Sequence, residues 1–149
     1  MIEIKLYDEN NKPTSTEKAE IIDFLFHELE NFGDSKADIE KCINYALKET
    51  ISFGGFVLQA FAEGKMACVV VINQTGMKDY IPENILVYIA TLKEFRGKGI
   101  GKALVLKAIE TAEGNIALHV EPNNPAKYLY EKIGFTNKYL EMRYIKEAK

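Results

Sequence analysis

Apolar and polar residues alternate at the start of the chain. Ile2, Ile4 and Leu6 are interleaved with Glu3, Lys5 and Tyr7, which predicts a strand over residues 2–7. A polar stretch with Pro13 follows, and Thr14 with Glu17 three residues on has the form of a capping box. Ile22, Leu25, Phe26, Leu29 and Phe32 then recur at helical spacing until Gly33 supplies a stop. Ser35 with Asp38 opens a second helix, whose apolar stripe is Ile39, Cys42, Ile43, Ala46 and Leu47. Two apolar runs, 56–61 and 66–72, flank Glu63-Gly64-Lys65 and predict a hairpin. The second run is apolar on both faces, as a strand in the middle of a sheet should be.

Residues 73–84 read as a loop with Gly76 and Pro82, 85–92 as a strand, and 100–113 as a helix ended by Gly114-Asn115. A strand over 116–121 follows, and Pro122-Asn123-Asn124-Pro125 then breaks the chain. Asn124 is placed to cap a short helix, with Pro125 at its first position and Gly134 beyond its end. A last strand pair is expected at 135–137 and 139–146. The order β-α-α-β-β-β-α-β-α-β-β predicts one mixed α/β (α+β) domain over residues 1–149. An antiparallel meander comes first, then a β-α-β crossover. There is no internal repeat or linker.

Composition narrows the function classes. Hydrophobic residues make up 47% and charged residues 28% of the 149, as in an ordinary water-soluble domain. No apolar run approaches a membrane span, and the N-terminus lacks a signal-peptide core, so cytoplasmic residence without a membrane partner is expected. Cys42 and Cys68 sit among apolar neighbours and read as free core thiols. No CxxC pairing exists, and His27 and His119 are distant in sequence, so no metal site is expected. The net charge of −3 is uneven: residues 1–74 carry 13 acids and 7 bases, residues 75–149 carry 9 acids and 12 bases. Two readings fit this asymmetry: solvated helix faces, or an acidic acceptor side beside a basic anion site. Neither half is basic enough for nucleic acid.

The candidate chemistry centres on Arg96-Gly97-Lys98-Gly99-Ile100-Gly101, between a strand and a helix. Glycines there permit a tight turn, and the free amides of a helix start attract phosphate. Arg96, Lys98 and Lys102 sit where the helix dipole disfavours cations, so a bound polyanion would compensate them. A P-loop is excluded, because Lys102 stands where that pattern requires glycine. A dinucleotide fingerprint fails at the same residue. Glu121 ends the next strand about where such a site wants an acid, but only 28 residues follow it.

A third reading rests on a resemblance. Arg96 to Gly101 resembles the R/Q-x-x-G-x-G/A signature of the GNAT superfamily of N-acetyltransferases. Ile89-Ala90-Thr91-Leu92-Lys93-Glu94-Phe95 resembles that family's strand and V-x-P-E-x lead-in, with Thr91 for valine and Lys93 for proline. Leu118-His119-Val120-Glu121-Pro122-Asn123-Asn124-Pro125-Ala126-Lys127-Tyr128-Leu129-Tyr130-Glu131-Lys132-Ile133-Gly134-Phe135 is similar to its L-x-V-x-x-x-N-P-A-x-x-L-Y-E-x-x-G-F segment.

The resemblance implies a mostly antiparallel sheet with a splayed parallel strand pair and about four flanking helices. It implies acetyl-CoA as co-substrate and direct transfer to a primary amine of a small molecule or peptide. The amides of Gly97, Lys98, Gly99, Ile100 and Gly101, with Arg96, Lys98 and Lys102, would hold the pyrophosphate. Ile89, Ala90 and Thr91 would pair with the pantetheine arm beside a bulge. Asn124 (or Asn123) and Ala126 would border the arm. Tyr130 would protonate the departing thiolate. The base stays open among Glu83, Tyr88, His119 and Glu121, since Leu86 stands where some members carry glutamate. Lys127 and Lys132 are placed either for the ribose phosphate or for solvent. The alternatives are a non-catalytic acyl-CoA sensor and a small nucleotide-dependent oxidoreductase. A monomer and a homodimer both fit.

Overall fold

The computed structural model describes residues 2–147. The chain forms two compact units, Met1–Leu118 and His119–Lys149. The first holds strands β1 (Ile2–Tyr7), β2 (Gly55–Ala62), β3 (Lys65–Gln74), β4 (Asn84–Thr91) and β5 (Ile116–Leu118). It also holds helices α1 (Ser15–Glu28), α2 (Lys36–Ala46) and α3 (Ile100–Thr111), with 3-10 turns at Glu30–Phe32 and Lys93–Phe95. The second holds α4 (Ala126–Ile133). No described helix is long and apolar enough to cross a membrane.

The local signals act as their chemistry requires. Thr14 accepts from the Glu17 amide while Glu17 accepts from the Thr14 amide, closing the capping box of α1. Ser35 accepts from the Asp38 amide and caps α2. Glu63 and Gly64 turn the β2–β3 hairpin with φ of 52° and 76°, the pair of left-handed residues that matches strand twist.

The sheet has the order β1-β2-β3-β4-β5, antiparallel except for the β4–β5 pair. That topology is not a doubly wound parallel sheet, so the dinucleotide-oxidoreductase alternative falls away. On one face Ile21, Leu25, Ile39, Ile43 and Leu47 pack with Val57, Val69, Val71, Tyr88 and Ala90 in one core cluster. The intervening residues Leu58, Val70 and Ile72 turn to the other face and are fully buried there, where α3 packs through Leu104, Val105 and Ala108.

β4 carries the feature that matters for a site. Tyr88 pairs with Val71 but Leu86 pairs with Ile72, so Val87 is an extra residue, a bulge. The bulge changes which face the side chains take. Leu86 lies with the Ile72 face, whereas Tyr88 and Ala90 join the α1–α2 cluster. β5 pairs with β4 only at Asn84, Ile85 and Leu86. From Val87 to Thr91 the far edge of β4 pairs with no strand among the described residues. The expected parallel pair is therefore present, over the three residues that make up β5.

Two expectations are corrected. The strand predicted over 116–121 ends at Leu118. The last strand pair does not form: no described residue after Leu118 is in a strand. Leu140, Met142, Tyr144 and Ile145 are each at least 80% exposed. Alternation there marks strand tendency, but a strand exists only where an edge accepts its ladder.

Candidate functional site

Gly97 and Gly99 have φ of 78° and 82°, a left-handed conformation that costs another residue about 1–2 kcal/mol. A Cβ on either would meet nothing within 4 Å. Glycine is thus required by the backbone, and the space above the turn is open. α3 starts directly after, with Gly99 at its cap position. Unlike α1 and α2 it has no side-chain cap and no acid in its first turn. Its first internal bond is Ala103 N to Gly99 O at 3.0 Å, so the amides of Ile100, Gly101 and Lys102 have no carbonyl partner within the helix. Neither Lys98 nor Lys102 forms an ion pair with a described residue; Lys98 Nζ lies 5.6 Å from the Phe95 ring centroid. An exposed positive dipole end, open space and two ammonium groups without an ion-pair partner among the described residues make a fit for a polyanion.

Arg96 is different. Its Nε donates to the Thr91 carbonyl (2.9 Å), and its Nη2 donates to the Glu28 carbonyl (2.9 Å) and to Glu28 Oε1 (3.4 Å). Nη1 lies 3.7 Å from Glu30 Oε1. The cation expected to await a polyanion is already compensated by the C-terminal end of α1. Sequence reading missed Glu28 and Glu30. The available signal was their position, since carboxylates at a helix C-terminus oppose its dipole unless a cation meets them.

Ile89, Ala90 and Thr91 lie on the part of β4 whose far edge is unpaired. Ile89 and Thr91 register with Val70 and Cys68 on β3, and Thr91 Oγ1 lies 3.5 Å from Cys68 Sγ. Tyr88, just after the bulge, donates its hydroxyl to Asp34 Oδ2 at 2.5 Å. Burial first, and then that bond, push the Tyr88 phenol well above its ordinary range. Asp34, in the connection between α1 and α2, is a third residue the sequence did not flag.

Glu83 is engaged by backbone. Its Oε1 accepts from the Asn115 amide (2.8 Å) and its Oε2 from the Asp79 amide (3.0 Å). These bonds hold its carboxyl below the usual range, the opposite of what a base near neutral pH needs. Cys42 and Cys68 are free, as read from sequence, and burial pushes their thiols up to about 12 and about 11.

The second unit carries the other motif. Asn124 Oδ1 accepts from the Ala126 amide at 3.0 Å, while Pro125, expected at the first helical position, takes the cap position of α4 with helical backbone angles. Tyr130 is buried, and its ring packs edge-on against Phe135 at 5.8 Å. Gly134 ends the helix with φ of 123°. His119 and Glu121 are exposed.

A family model described as an acetyltransferase (GNAT) domain matches residues 54–137. No curated protein matches the sequence. Solved structures do match in fold. The aminoglycoside N-acetyltransferase AAC(6')-Iy in complex with CoA shares 16% identity at a TM-score of 0.69, over 99% of this chain and 96% of that one. The ribosomal-protein-alanine N-acetyltransferase of Brucella melitensis biovar Abortus 2308 shares 19% at 0.63, over 97% and 99%. An integron cassette protein from the mobile metagenome of V. cholerae shares 22% at 0.62, over 99% and 93%. At such identities the likeness establishes the fold, while the family model covers more than half of the chain. Bulge, uncapped helix and glycine turn stand inside the matched region, and the chain belongs to the GNAT acetyltransferases, enzymes that carry an acyl group from an acyl-CoA to an amine.

Proposed function

We propose that the protein transfers an acetyl group from acetyl-CoA to a primary amine of a small molecule or peptide, by direct attack in a ternary complex. The observation that carries this reading is the uncapped start of α3 behind two left-handed glycines, next to a strand edge left open by a bulge. The amides of Gly97 to Lys102 bind the pyrophosphate, with the Lys98 and Lys102 ammonium groups adding charge. The backbone of Ile89, Ala90 and Thr91 pairs with the pantetheine arm as an added strand would. Asn124 and Ala126 border the arm, and Tyr130 supplies the proton to the leaving sulfur; these assignments rest on the sequence motif. The matched region runs across both compact units, which supports reading residues 1–149 as one catalytic domain.

On the acceptor side, Asp34 and the exposed Glu30 stand at the α1–α2 connection and favour a cationic acceptor. Amine acceptors of both kinds, an aminoglycoside and a protein alanine, are named for structural relatives. Neither Glu83 nor Tyr88 suits the base. The first is saturated by amides, and the second is a phenol whose proton is held by burial and by Asp34. Tyr88 instead fixes the Asp34 carboxylate beside β4.

The test is thiol release from acetyl-CoA across a panel of polyamines, aminoglycosides and peptide amines, by wild type and by Tyr130→Phe. Amine-dependent release that falls by about 10²–10⁴ in kcat in the variant, with CoA affinity retained, is the expected result. Binding of CoA without release for any amine would point to a sensor instead.

A further inference from the structure

Two sets of misplaced charges meet in this structure. Glu28 is the last residue of α1, and Glu30 follows it with a left-handed φ of 53°. Carboxylates there oppose the negative end of the helix. Arg96 precedes the positive end of α3, where a cation is equally disfavoured. Each set resolves the other. The Arg96 guanidinium donates to the Glu28 carbonyl, one of the carbonyls left without an internal partner at the end of α1, and also to the Glu28 carboxylate. The same Glu28 Oε1 accepts from the Lys93 amide at 3.1 Å, inside the turn that leads to the glycines. Through Nε, Arg96 also holds the carbonyl of Thr91, the last residue of β4. The Glu28 side chain is 19% exposed against 57% for Glu30, so Glu28 is the enclosed partner.

Glu28 therefore touches both ends of the segment Lys93–Phe95 and Arg96, while Arg96 touches the strand before it. Lys93 to Arg96 spans the gap between the open strand edge and the glycine turn. We propose that Glu28 is a positioning residue for cofactor binding. Its carboxylate, with Arg96, fixes the spacing between the pantetheine-pairing strand and the phosphate-binding turn, and Arg96 acts through this clasp rather than as a phosphate ligand. The inference rests on the acetyl-CoA reading given above.

The clasp also reaches the acceptor side. Asp34, six residues after Glu28, is tied to Tyr88 of the same strand. The connection between α1 and α2 is thus fastened to β4 on either side of Ile89–Ala90, at Tyr88 and, through Arg96, at Thr91.

CoA binding by calorimetry, with Glu28→Ala, Glu28→Gln, Arg96→Ala and the double variant Glu28→Ala/Arg96→Ala, tests the proposal. Each alanine variant should weaken CoA by about tenfold, and the double variant by no more than either alone. Glu28→Gln, which keeps an acceptor for the Lys93 amide, should fall between. Arg96→Ala should leave the salt dependence of CoA affinity unchanged, because its charge is already paired, whereas Lys102→Ala should reduce it. Urea midpoints of all variants accompany the binding data. A contact that only holds the fold together would shift the midpoint and leave the affinity of the folded protein alone, and that result overturns the proposal. So do multiplicative losses in the double variant, which mean that the two residues act independently, or a reduced salt dependence in Arg96→Ala, which means direct contact with phosphate. Failure of the wild type to bind CoA overturns the donor reading itself, and the clasp with it.

Discussion

Replacing Gly99 by alanine separates the backbone requirement of the turn from every side-chain effect. Gly99 sits at φ 82°, ψ 3°, and an added Cβ meets no atom within 4 Å. No clash contributes, so the cost is that of holding an L-residue in the left-handed region, about 1–2 kcal/mol. In a domain of this size each kcal/mol lowers Tm by about 2–4 °C. Gly64 provides a matched control, with φ of 76° and equally open space, in a hairpin turn that opens no helix. Gly64→Ala and Gly99→Ala should therefore lose similar stability. They should differ in binding. Relief of strain at Gly99 rotates the amides at the start of α3, so CoA affinity should fall about tenfold or more there and hardly at all at Gly64. Thermal unfolding with and without the same excess of CoA reads both quantities, since bound ligand stabilises the fold in proportion to the logarithm of its affinity. Equal CoA-induced shifts in the two variants would refute the claim that these amides bind the cofactor.

Further outcomes follow from the residues around the turn. Glu83→Gln should destabilise the fold at neutral pH by loosening the Asp79 and Asn115 amides, yet lower kcat far less than the 10²–10⁴ lost with a general base. The Glu83 pKa is lowered on folding, so its stabilisation is present above the unfolded carboxylate range and disappears as pH falls through the folded value. Urea titrations of both proteins at pH 7 and in acid should converge in acid. Tyr88→Phe should cost about 1 kcal/mol in urea unfolding and raise the acceptor KM more than that of acetyl-CoA, because Asp34 loses its anchor. In wild type the Tyr88 contribution is intact at neutral pH and fades as pH rises above about 10, its folded pKa being raised. Cys42 and Cys68 should stay unreactive to a thiol reagent at pH 8 until guanidinium unfolds the chain, given thiols pushed to about 12 and about 11.

The legible parts of the fold are those decided locally. Thr14 and Ser35 announce their helices because a cap needs only residues three apart. The Glu63-Gly64 turn announces its hairpin because left-handed residues are chemically marked. The glycine turn was legible for the same reason. What escaped depends on distant partners. The strands expected after residue 134 need an edge to pair with, and β5 is only three residues long. The bulge on β4 was expected only through the family resemblance; its place at Val87, which sends Leu86 and Tyr88 to opposite faces, depends on pairing with β3. Glu28 and Asp34 looked like solvated helix charges. Their roles depend on Arg96 and Tyr88, which lie 68 and 54 residues away in sequence. Arg96 was expected to meet a bound polyanion, whereas in the structure its guanidinium meets the end of α1.

The central claim is tested most directly by counting both products of one reaction. Wild-type protein is mixed with acetyl-CoA and the best amine of the panel; free thiol is measured by colour and acetylated amine by mass spectrometry. The account predicts one acetamide per thiol, with the product 42 mass units heavier per transfer (about the mass of an acetyl group less a proton), and no thiol without amine. Thiol released without acetylated amine, or the same rate whether or not amine is present, would contradict it.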